Sequence, residues 1–123
     1  MNRLRGGDTT GGSSARVERH FGDLLDEVAV EAPLSRPRLV RGLAVVDRRG
    51  RTRDDIGERA RDRLDLSAGV VYVLPVHEWS VVTEDLLPVT ELAVRETHRR
   101  LARALADDQV PPRTDPLVVV SMS

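Results

Sequence analysis

The chain has no cysteine, so it can hold no disulfide, no thiolate metal ligand and no thiol nucleophile. It has no lysine either: all nineteen basic residues are arginine. Schiff-base chemistry through a lysine amine is excluded, and so is the lysine of a P-loop. Arginine in place of lysine is what GC-rich codons produce, and by itself it implies no activity. Aromatic residues make up 2% of the chain and are Phe21, Tyr72 and Trp79. The core is therefore left to Val, Leu and Ala, and few ring faces remain on which bases or sugars would stack. No apolar run approaches the roughly 18 residues that span a bilayer. The N-terminal MNRLRGGDTTGGSS lacks the apolar segment of a secretory signal, so a cytoplasmic location is expected. A formal net charge of −1 gives no whole-molecule attraction to nucleic acid.

What is present is the composition of a globular domain: 40% hydrophobic and 32% charged residues over 123 positions. That length allows a self-sufficient core without covalent staples. Residues 1–14, rich in Gly, Ser and Thr, read as a flexible tail, and 15–123 as one domain.

Along the domain, residues 14–31 predict a helix, with Val17, Phe21, Leu24 and Val28 at helical spacing and Gly22 as a weak point. Pro33 and Pro37 mark a connector. The aliphatic run RLVRGLAVV, 38–46, predicts a strand that turns at DRRG. A second helix is expected from Thr52, on the stripe Ile56, Ala60 and Leu64. Residues 69–82 predict one long strand, broken or bulged at Pro75, which cannot donate to a ladder. Leu87 to Ala106 predicts the clearest helix, with Leu87, Val94, Leu101 and Leu105 on its apolar stripe. LVVV, 117–120, predicts a last, buried strand. The fold class expected is α+β: a small mixed sheet of three to four strands covered by two or three helices. A ferredoxin-like βαββαβ order with an extra N-terminal helix fits if 69–82 folds back near Pro75.

Three places carry candidate chemistry. VVYVLPVHEW, 70–79, gathers Tyr72, His77, Glu78 and Trp79. His77 and Glu78 are the candidate acid–base residues, and Tyr72, His77 and Trp79 the candidate ligand contacts. As strand neighbours, His77 and Glu78 point to opposite faces and form no dyad without a bulge. DRRGRTRDD, 47–55, crowds Arg48, Arg49, Arg51 and Arg53 at a strand-to-helix turn, where guanidinium forks and free backbone N–H groups suit an anion. Asp54 and Asp55 already answer the helix dipole there. His98 sits near the apolar stripe of the last helix and reads as a boundary residue. His20, His77 and His98 fall in separate elements with no metal-ligand spacing, so neither a metal nor a cofactor is expected.

These features favour a non-enzymatic binding or assembly module, self-associating through exposed Val-rich strand edges. A homo-oligomer or protein partner is expected, with no membrane and no nucleic acid. One alternative is a ligand-binding domain or enzyme with a pocket around His77, Glu78 and Trp79. The other is a phosphate or nucleic-acid binder acting through the Arg48–Arg53 turn.

Overall fold

The computed structural model describes residues 14–52, 56–66, 69–106 and 116–121. The first helix, α1, covers residues 14–21 and buries Val17 and Phe21, one turn apart. It stops at Gly22, whose φ of 54° lies in the left-handed region that a residue with a Cβ resists. The Gly22 N–H closes α1 on the Glu18 carbonyl at 3.2 Å. Helix α2, Leu24–Glu31, then starts afresh and buries Leu25, Val28 and Ala29. The single helix expected over 14–31 is thus two, and Gly22 is the joint.

Helix α3 spans Arg36–Thr52, where the sequence suggested a strand over 38–46. Ser35 opens it, its Oγ accepting the Arg38 N–H at 3.4 Å, and Pro37 sits in the first turn, where a missing N–H is tolerated. Leu39, Val40, Leu43, Ala44 and Val46 are buried along one side. The helix continues through the DRRG segment, so no turn stands there. A short helix, α4 at Ile56–Arg59, follows, and Leu64 lies in a strand rather than on a helical stripe.

Strands β1 (Asp62–Asp65) and β2 (Gly69–Val73) form an antiparallel hairpin. Leu66 donates to the Gly69 carbonyl at 2.8 Å across the bend. At Pro75 the chain leaves the sheet. The Pro75 carbonyl accepts the Glu78 and Trp79 N–H groups, both at 3.0 Å, and opens helix α5, Val76–Val82. The long strand expected over 69–82 is therefore a strand followed by a helix.

Helix α6, Pro88–Ala106, stands where it was expected, but its buried seam is rotated. Thr90, Ala93, Val94, Thr97, His98, Leu101 and Ala102 face the core, while Leu87 and Leu105 are exposed. Small side chains on that seam let α3 approach closely. A Cβ on Gly42 would stand 2.8 Å from Thr90 Cγ2 and 2.9 Å from Val94 Cγ2. Strand β3, Leu117–Ser121, completes the sheet in the order β1-β2-β3, antiparallel throughout.

The protein is thus a small α+β fold with a three-stranded antiparallel sheet. The ferredoxin-like order and the mixed sheet are not found, because 38–46 and 76–82 are helical. Val71 pairs with Val119 and Val73 with Leu117 on the core face, and one apolar cluster runs from Val17 to Val119. Each fully buried Leu or Val in it contributes about 1.5–3 kcal/mol over an exposed one.

Each sheet edge carries a feature that limits pairing with another strand. On β3, the Val119 N–H that points away from β2 donates to Nδ1 of His98 on α6 at 3.0 Å. On β1, Asp62, Arg63 and Asp65 are exposed, and charged side chains on an edge discourage pairing with another strand. Among the described residues no helix is long and apolar enough to cross a membrane.

Candidate functional site

The residues of VVYVLPVHEW part rather than converge, because the chain changes from strand to helix at Pro75. Tyr72 is half-buried on the outer face of β2, with the Arg63 guanidinium 5.8 Å from its ring centre. The His77 side chain is 79% exposed. Glu78 is buried, and the Arg59 guanidinium of α4 holds it at 3.1 Å. The His77 Nε2 lies 3.8 Å from the same carboxylate oxygen. Helical geometry thus brings His77 and Glu78 together where strand parity would separate them. The carboxylate, however, serves an ion pair that ties α4 to α5. Trp79 is in the core, its Nε1–H donating to Glu91 of α6 at 2.5 Å.

His98, expected at the boundary, is fully buried. Its ring packs edge-to-face on Phe21, with centroids 5.0 Å apart, and on Trp79 at 6.4 Å. Burial, with a smaller contribution from the charge of His20, pushes its pKa from 6.5 down to about 3. At neutral pH the ring is therefore uncharged. Because Nδ1 accepts from Val119, the proton sits on Nε2. Its role is to close a strand edge.

The arginines tell a different story. Arg48 and Arg49 lie on α3, not on a turn. The Arg51 backbone belongs to the same helix, while its side chain and Arg53 lie outside the described residues. Arg49 is a structural clamp. It donates to the Val82 carbonyl at 3.1 Å and to the Asp85 carboxylate at 2.5 Å, fastening α3 to the end of α5. Arg48 instead lines an open cleft of about 450 Å³ between α3 and the segment leading into α6.

Two residues that the sequence reading did not single out complete this cleft. Arg38 and Arg41 stand on its rim, both exposed. With Val45 and Arg48 they occupy positions i, i+3, i+7 and i+10, which fall on one face of a helix. Gly42 and Val45 form the floor, and Leu86, Leu87 and Thr90 the facing wall. Arg49 and Asp85 close one end against each other. Among the described residues, neither Arg38 nor Arg41 has a carboxylate within ion-pair distance. The neighbouring Arg36 differs, being held by Glu18 at 2.9 Å and Asp26 at 3.0 Å. Arg41 also lines a second cleft of about 410 Å³, bounded by Ser14, Glu18, Arg36, Pro37 and Val40, on the α1 side of α3.

The signal that would have found this site is the helical period of 38–46. Leu39, Val40, Leu43 and Ala44 recur as i, i+1, i+4 and i+5, which places the intervening arginines on the opposite face. No protein-family model matches the chain, no curated protein matches its sequence, and no solved structure matches its fold.

Proposed function

We propose that the protein is a non-enzymatic binding module and that its ligand site is the arginine-rimmed cleft along α3, which takes a negatively charged ligand. One observation carries the reading: Arg38 and Arg41 stand one turn apart, exposed, beside an apolar floor and with no carboxylate of the described chain to answer them. Guanidinium forks of this kind pair bidentately with carboxylate or phosphate. His98 is neutral, with its Nδ1 taken by the Val119 N–H, and Glu78 is committed to Arg59.

Titration at low ionic strength with citrate, polyphosphate and polyglutamate, each followed by calorimetry, tests it. At least one should bind, and R38Q/R41Q should lose about tenfold or more in affinity, since about 1.4 kcal/mol is a factor of ten. Failure of all three probes, or equal binding by the double variant, would refute it. Self-association is a second reading, favoured by Val89 and Leu92, which are 44% and 61% exposed on adjacent positions of the α6 surface. Sedimentation equilibrium across the micromolar range checks it, and a monomer of 13.6 kDa throughout would end it.

A further inference from the structure

Resting on the reading of the cleft as an anion site, we propose that its occupant is a short acidic amphipathic helix of a partner protein. The partner's Asp or Glu side chains would meet Arg38 and Arg41, and a leucine-type side chain would enter between Val45 and Leu87.

Shape is the first argument. The cleft is lined by α3 from Arg38 to Arg49. Eleven helical steps cover roughly 16 Å, about three turns and more than one small anion occupies. A second helix laid in a groove needs a face of that length.

Chemistry is the second. Cations and apolar surface lie side by side along one face: Arg38 and Arg41, then Val45, with Leu87 opposite and 63% exposed. A purely ionic ligand leaves Val45 and Leu87 wet, whereas an acidic helix carrying a leucine covers them. Burying a leucine-type side chain there is worth about tenfold or more in affinity.

The same features weigh against nucleic acid. Stacking would need an exposed ring, but Phe21 and Trp79 are buried and Tyr72 lies on the sheet beside Arg63.

The test uses the full chain and four probes matched in charge, read by fluorescence anisotropy. They are a peptide of about twelve residues, three helical turns, with glutamates at i, i+3 and i+7 and a leucine at i+4; its Leu→Ser counterpart; a polyglutamate; and a single-stranded oligonucleotide. The leucine peptide should bind at least tenfold tighter than the other three. R38Q/R41Q should weaken all binding. Leu87→Ser should cut affinity for the leucine peptide several-fold and leave polyglutamate unchanged. Equal binding of the leucine and serine peptides, with Leu87→Ser silent, overturns the proposal while the anion site stands. Tightest binding of the oligonucleotide overturns it in favour of nucleic acid. No binding of any probe removes the anion site itself.

Discussion

Acid should destabilise this fold through the His98 imidazole. His98 is 2% exposed, its Nδ1 is taken by the Val119 N–H, and its pKa in the fold is about 3 against an ordinary 6.5. Above pH 6.5 the ring is neutral in both folded and unfolded chains, and the full stability is present. As pH falls below 6.5 the unfolded chain takes up a proton that the fold refuses, so stability declines by about 1.4 kcal/mol per pH unit until pH approaches 3. At pH 5 the loss is about 2 kcal/mol. For a domain of this size that is roughly an 8 °C fall in Tm relative to pH 8. The emission of Trp79, the only tryptophan, reports unfolding directly from the same cluster.

Two variants isolate the effect. His98→Gln keeps an acceptor for Val119 and removes the titration, so its Tm should fall less between pH 8 and pH 5 by that amount. His98→Leu leaves the Val119 N–H without an acceptor and should cost about 1–3 kcal/mol at every pH, with the same shallower dependence. Parallel pH profiles for all three proteins would refute the assignment.

Three further outcomes follow from the packing. Gly42→Ala should destabilise by about 1 kcal/mol in chemical unfolding, because crowding against Thr90 and Val94 outweighs the roughly 1 kcal/mol gained in helix propensity. Gly22→Ala meets no neighbouring atom, yet it should cost about 1 kcal/mol from the left-handed backbone alone. Arg49→Met, which releases the Val82 carbonyl and Asp85, should cost about 1–2 kcal/mol and loosen the wall of the cleft, read as faster hydrogen exchange in α5 and the Asp85–Leu87 segment.

The sequence announces α6 and β3 plainly, because one has a long helical pattern with Pro88 at its start and the other an unbroken valine run. It misleads at 38–46 and 76–82, where Val and Leu favour a strand by local preference while the surrounding packing selects a helix. Pro75 was legible as an interruption, but an interruption alone does not say that the structure changes type. Strand β1 is the reverse case: DRLD has no strand signature of its own and becomes one by pairing with β2. The site suffered from the same confusion. Read as strand residues, Arg38 and Arg41 point to opposite faces; on a helix they share one, and only then does a cleft take form. Arg48 and Arg49 were visible as a cluster, yet nothing local separates the clamp from the residue that faces the cleft. His98 looked like a boundary residue because its partner, a backbone N–H, lies twenty-one positions away.

The connectivity of the sheet also sets an order of assembly. Asp65 and Val70 meet across a short bend, so β1 and β2 can zip within microseconds as a local hairpin. Val71 and Val119 are separated by α5 and α6, and their pairing closes a far larger loop, whose entropy is spent before any contact rewards it. Until β3 arrives, β2 has a naked flank and the imidazole of His98 has nothing to accept. Docking of α6 onto the earlier helices would set that nitrogen in place ahead of the strand. The final strand then meets a hairpin on one side and a waiting acceptor on the other, which favours one register over its neighbours.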